Sequence, residues 1–184
     1  MANILIINGH QKTGSASGQL NKTLVAEMKK ILKDELNHKV KITTVQKGYD
    51  AAEEQQKFMW ADTIIFQFPV YWFGVPALMK QYMQDVYGYG VFYQASTDGY
   101  GHGGMLDGKT YMLSSTWNAP ADAFGHGFWQ DVQTPDTALV AMHKTQSFIG
   151  LKPLPSFSCH NVMKDPQMDE YLSQLRQHLI TVFG

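Results

Sequence analysis

Apolar positions along this chain alternate between two rhythms. Residues 2–8 are apolar on both faces and rich in Ile, the pattern of a buried parallel strand. A polar loop over 9–18 follows. Leu20, Leu24, Met28, Ile31 and Leu32 then recur at helical spacing, with Lys29, Lys30 and Lys33 on the opposite side. Residues 40–45 alternate and predict a strand. Residues 50–60 predict a short helix with Asp50 as N-cap. A strand over 63–68 runs into Pro69, and Pro76 opens a helix striped by Leu78, Tyr82 and Val86. A Gly- and Tyr-rich segment, 87–104, breaks the pattern. A fourth strand is predicted over 110–115, an irregular stretch over 122–135, a helix over 136–149 capped by Gly150, and a weak fifth strand over 155–160. Leu172, Leu175, Leu179 and Val182 mark an amphipathic helix over 169–183.

Strands alternating with helices of this length require parallel pairing through right-handed crossovers. The prediction is a single α/β domain over 1–184, a three-layer flavodoxin-like fold on a five-stranded parallel sheet. Its switch point falls between the first and third strands. The loops after Asn8, Phe68 and Ser115 then lie side by side at the carboxyl ends of the strands, where open α/β sheets bind ligands.

Each of these loops carries candidate chemistry. The first reads Gly9-His10-Gln11-Lys12-Thr13-Gly14-Ser15-Ala16-Ser17-Gly18-Gln19-Leu20-Asn21 and matches neither a P-loop nor a dinucleotide fingerprint. Its small residues before a helix make an anion site of backbone N–H groups. Ser17 is a candidate cap, Thr13, Ser15 and Ser17 are candidate phosphate ligands, and His10 adds a donor. An ordinary capped turn would look the same. The second loop gathers Tyr71, Trp72 and Phe73 between two prolines. Rings and backbone N–H groups of Val70 to Phe73 suit a flat, polar-edged heteroaromatic ligand such as a flavin; a cluster filling the core is the alternative. The third ends its strand in Thr116-Trp117-Asn118, a hydroxyl, a ring and an amide. Tyr100, in the Gly-rich segment, is placed either to close over a pocket or on the surface.

Composition narrows the class. With 184 residues, 44% of them hydrophobic and 17% charged, the chain is globular. A net charge of -1 without a basic block argues against nucleic acid and anionic membrane surfaces. No apolar stretch is long enough to span a bilayer, and the N-terminal residues lack a signal-peptide pattern. The lone Cys159 rules out an internal disulfide, fits a reducing compartment and reads as a core residue. There is no His-Glu-x-x-His, no Cys/His pair at metal spacing and no Gly-x-Ser-x-Gly elbow, so no metal is expected. His143, on a predicted helix, reads as structural. His126 lies in the irregular segment.

The run Phe68-Pro69-Val70-Tyr71-Trp72-Phe73-Gly74-Val75-Pro76-Ala77, with Ser17-Gly18-Gln19-Leu20-Asn21 and Thr116-Trp117-Asn118-Ala119-Pro120, resembles the NAD(P)H:quinone oxidoreductase group of flavodoxin-like proteins. The likeness extends over nearly the whole chain. It implies a cytoplasmic homodimer that holds FAD, less readily FMN, and reduces quinones by two electrons in a ping-pong cycle with NADPH or NADH. Carried over by position, Ala16, Ser17, Gly18, Gln19, Leu20, Asn21, Lys22 and Thr23 hold the phosphates with His10. Pro69, Val70, Tyr71, Trp72 and Phe73 contact the ring, as do Thr116, Trp117, Asn118 and Ala119. Tyr100 matches a flavin-contacting tyrosine, and Asn118 and Tyr100 are the catalytic candidates. Residues 125–137 differ from the family, so no substrate-side residue is carried over there. A flavodoxin-type FMN electron carrier and an ancillary flavoprotein of a potassium efflux system are the competing readings.

Overall fold

The computed structural model describes residues 1–14 and 16–184. Its central parallel strands are β1 (Asn3–Asn8), β2 (Lys39–Thr44), β3 (Thr63–Pro69) and β4 (Thr110–Thr116). Two short segments, β5 (Lys152–Pro153) and β6 (Phe157–Cys159), both pair with β4. The order is β2-β1-β3-β4-β5, all parallel. Of the fifth strand predicted over 155–160, the structure keeps β6, and β5 precedes it outside the predicted range. The ladder to β4 lapses after Leu154, whose N–H still donates to Tyr111 O at 2.7 Å, since Pro155 has no N–H to donate.

Both faces of β1 and β3 are buried, because helices cover the sheet on each side. Ile4, Ile6 and Ile65 pack with Leu24, Met28 and Leu175. These helical residues come from α1 (Gln19–Lys30) and α6 (Met168–Phe183). Leu5, Ile7, Ile64 and Phe66 face the other layer with Phe58, Met79 and Tyr82. That layer contains α2 (Ala51–Trp60) and α3 (Ala77–Val86). The stripe of α3 is carried by Met79, Tyr82, Met83 and Val86, whereas Leu78 is only half-buried. Asp50 caps α2 as predicted, accepting from the Glu53 N–H at 2.9 Å.

The helix predicted over 136–149 is divided at Leu139. A turn, α4 (Pro135–Ala138), is followed by α5 (Val140–Phe148). Gly150, at φ 97°, follows α5 in the left-handed conformation that commonly ends helices. No helix is long and apolar enough to cross a membrane among the described residues.

Candidate functional site

The loops after β1, β3 and β4 meet at the carboxyl ends of the strands and enclose a cavity of about 640 Å³. It is lined from the first loop and α1 by His10, Thr13 and Ala16 through Asn21, from the second loop by Pro69 to Trp72, and from the third by Thr116 and Asn118. No Asp, Glu, Lys or Arg lines it among the described residues.

The first loop is held tightly. Gly9 N–H donates to Gln67 O at 2.9 Å, and Thr13 and Ala16 exchange backbone bonds at 3.1 and 3.2 Å. Ser17 does not cap α1. The N-cap is Gly18, in the left-handed conformation at φ 78°, and no side chain among the described residues caps the helix. The helical ladder begins with Lys22 N–H on Gly18 O, so the amides of the first turn precede it. Beside them His10 is buried with its Nε2 unpartnered among the described residues. Burial lowers its pKa, opposed by a hydrogen bond to the Ala16 backbone. Ser15, the other candidate hydroxyl, lies outside the described residues.

The second loop is a tight turn closed by reciprocal bonds between Tyr71 and Gly74, at 2.9 and 3.1 Å. Its two central residues, Trp72 (φ 48°) and Phe73 (φ 66°), are both left-handed, a conformation costly for bulky side chains. Such strain concentrates at ligand sites. The turn corrects one expectation. Val70 N–H is taken by Thr116 O at 2.9 Å and Tyr71 N–H by Gly74 O, so neither amide is offered to a ligand. Trp72 is 94% exposed, a bulky ring standing free at the rim of the cavity. Gln11, which sequence reasoning passed over, ties the two loops together. Its backbone O accepts from Tyr71 Oη at 3.0 Å, and its Oε1 accepts from Leu78 N–H at 3.0 Å in the first turn of α3.

In the third loop Asn118 is exposed into the cavity, whereas Trp117 points away from it. The Trp117 indole donates to Ser115 Oγ at 2.8 Å, packs edge-on against Phe124, and its backbone N–H is taken by Cys159 O. Ala119, Lys22, Thr23 and Phe73 do not line the cavity. Phe73 packs on Phe128 and Trp129. Tyr100 is 96% exposed, meets Phe148 at a tilted angle and is also outside the lining. Val162 and Met163 complete the wall. They follow β6 in an irregular segment without a local signature, but their backbone is placed by the Val162 N–H bond to Trp117 O.

Outside the cavity the other candidate groups have partners, and Ser156 Oγ is buried without one among the described residues. His143 bonds Tyr111 Oη at 2.6 Å and Asp136 at 3.1 Å, and that contact holds the Asp136 carboxyl below its ordinary range. Burial pushes the Cys159 thiol up to about 12, which leaves it an inert core residue. No cluster of three or more His, Cys, Asp or Glu side chains could hold a metal among the described residues.

A flavin suits these residues. An uncapped first turn with a buried, unpartnered imidazole nitrogen matches an anionic phosphate, and a free-standing ring with a cavity-facing amide matches a polar-edged heterocycle.

Comparison with known proteins agrees with this architecture. Residues 2–179 match the family model described as flavodoxin-like fold. The chain is 40% identical over 192 residues to the NADPH:quinone oxidoreductase MdaB of Haemophilus influenzae, covering 99% of this chain and 100% of that protein. A solved structure of a putative quinone reductase from Klebsiella pneumoniae superposes with a TM-score of 0.81 at 25% identity, covering 98% of this chain and 85% of the other. General stress protein 14 of Treponema denticola, solved with FMN, shares the fold with a TM-score of 0.73 at 22% identity, over 98% of this chain and 97% of that one. The chain therefore belongs to the flavodoxin-like family, among its NAD(P)H:quinone oxidoreductases.

Proposed function

We propose that the chain is a flavin-dependent NAD(P)H:quinone oxidoreductase whose cofactor sits in the cavity at the carboxyl ends of β1, β3 and β4. The observation that carries this reading is one cavity joining an uncapped α1 terminus, the unpartnered His10 Nε2 and the exposed Trp72 ring. A bound flavin supplies the redox chemistry, accepting a hydride from a nicotinamide and passing it to a quinone.

The chain's own part is binding, orientation and electrostatics. The first-turn amides of α1 and His10 hold the phosphates, with the helix dipole in place of Lys or Arg. Tyr71 and Trp72 form the wall on one side, and Thr116 and Asn118 meet the polar edge. The Asn118 amide donates where negative charge gathers on reduction, an interaction stronger in the reduced than in the oxidised state. Nicotinamide and quinone use the same open space in turn, which makes the kinetics ping-pong.

FAD is the cofactor we favour. Val162 and the 61%-exposed Met163 extend the wall with apolar surface suited to a second ring system. Identification of the flavin released from the purified protein separates FAD from FMN. A homodimer is part of the same proposal. Tyr100 is outside the cavity of its own chain and almost fully exposed, so a flavin contact by this residue requires a second copy. The reduced, buried Cys159 fits a cytoplasmic location.

Steady-state reduction of a soluble quinone by NADPH, with parallel double-reciprocal lines at several quinone concentrations, supports the function. Flavin binding without NADPH oxidation would leave an electron carrier instead.

A further inference from the structure

Gln67 is wholly buried in the central strand of the sheet. Strand alternation places it with Ile65 toward the α1 layer, while Phe66 and Phe68 join the opposite cluster. A polar side chain there costs free energy unless it is paired. It is paired in a row of four. Ser114 Oγ donates to Gln67 Oε1 at 2.6 Å, and Gln67 Nε2 donates to Asn21 Oδ1 at 2.8 Å. Asn21 Nδ2 donates to Thr116 Oγ1 at a longer 3.4 Å. All four residues are buried. Asn21 and Thr116 line the cavity, whereas Gln67 and Ser114 lie beneath it.

The row has a direction. A primary amide accepts at one end and donates at the other, whereas the Ser114 hydroxyl can do either; as placed, Gln67 takes a hydrogen from Ser114 and gives one to Asn21. With its oxygen occupied by Gln67, Asn21 has only N–H left for Thr116 and the cavity. Thr116 Oγ1, already an acceptor, keeps its own hydrogen to donate. Were the Gln67 amide reversed, Asn21 would turn its oxygen upward and draw the Thr116 hydrogen away from the cavity.

We propose that Gln67 is a positioning residue that fixes the direction of this row, so that Asn21 and Thr116 present donors to an electron-rich ligand. The proposal rests on the flavin reading above and extends it to a residue that does not touch the cavity. In Gln67→Glu, the neutral acid reproduces the amide pattern: its carbonyl accepts from Ser114 and its O–H donates to Asn21. The ionised form only accepts, which forces Asn21 to turn. Burial raises the pKa of a carboxyl at this position, so both forms lie within reach of ordinary buffers.

The test is a fluorescence titration of FAD and FMN against wild type, Gln67→Glu, Gln67→Met and Ser114→Ala at about pH 5.5 and about pH 8. Affinities are taken as ratios to wild type at each pH. His10 and Tyr71, the titratable groups lining the cavity among the described residues, are common to all four proteins and cancel. Gln67→Glu is expected to bind within about threefold of wild type at the acidic pH and at least about tenfold more weakly at the alkaline one. Gln67→Met, which can neither donate nor direct, is expected to be weakened equally at both. Circular dichroism melts establish that each variant is folded. If Gln67→Glu does not fold at the alkaline pH, Ser114→Ala decides, since removal of the first donor is expected to weaken binding several-fold. Variants that bind as tightly as wild type at both pH values overturn the proposal and leave the flavin reading standing. A wild type that binds neither flavin overturns the flavin reading itself.

Discussion

The imidazole of His10 lies directly over the α-carbon of Gly18, so closely that a Cβ at Gly18 would stand 2.0 Å from His10 Cε1. Gly18 also holds φ at 78°. The N-cap of α1 is thus glycine for two reasons: the left-handed backbone, and the ring packed against it. Gly18→Ala is expected to lose about 1–2 kcal/mol from the backbone alone. It is also expected to push His10 out of place and weaken flavin binding. Removing the ring in His10→Ala/Gly18→Ala relieves the steric part, so the double variant is expected to be more stable than the sum of the singles. Strict additivity in urea unfolding would contradict the contact.

Trp72 is almost fully exposed, so its ring supports little of the fold. Trp72→Ala is expected to unfold within about 0.5 kcal/mol of wild type. Flavin retention on gel filtration should nevertheless fall. Full occupancy with normal turnover would remove the ring from the site.

Asn118 reaches the cavity from the end of β4, and no hydrogen bond restrains its side chain among the described residues. Asn118→Ala is expected to slow anaerobic reduction by NADPH by about 10²-fold while flavin affinity changes much less. Stopped-flow absorbance separates the two. An unchanged reduction rate with lost flavin would make Asn118 a binding residue only.

Burial lowers the pKa of His10, His160 and His178 from their ordinary 6.5. As pH falls through 6.5, the unfolded chain takes up protons at these rings before the folded one does. The stability they contribute is complete above 6.5 and is lost as pH drops toward the lower folded values. The melting midpoint of flavin-free protein is expected to be lower at about pH 5.5 than at about pH 7.5. A phosphate beside His10 acts the other way and raises its pKa, so flavin binding near pH 6 is expected to take up protons. Calorimetry in buffers of different ionisation enthalpy reads that uptake. A binding heat independent of buffer would place the phosphate away from His10.

Much of this architecture is written in the hydrophobic pattern. The unbroken apolar runs of β1 and β3 could be buried only between two helical layers, and Asp50 announces α2 by its capping chemistry. The meeting of three loops followed from strand order alone. Other features depend on tertiary contact. Ser17 is a cap candidate in the sequence, but the left-handed Gly18 under the His10 ring is the N-cap. The Val70 and Tyr71 amides looked available, yet they are consumed by the neighbouring strand end and by Gly74 across the turn. Trp117 stood in a site motif but turns inward because Ser115, Phe124 and Trp129 receive it. Met163 entered the wall through the bond from Val162 to Trp117, a pairing across distant sequence that carries no local signal.

A flavin held in the cavity between His10 and Trp72 is visible in the absorbance spectrum of the purified protein. After resupply with FAD, one equivalent is expected to remain bound through gel filtration, with resolved flavin bands that bleach on anaerobic addition of NADPH. Folded protein that stays colourless and retains neither FAD nor FMN at saturating concentration would contradict it.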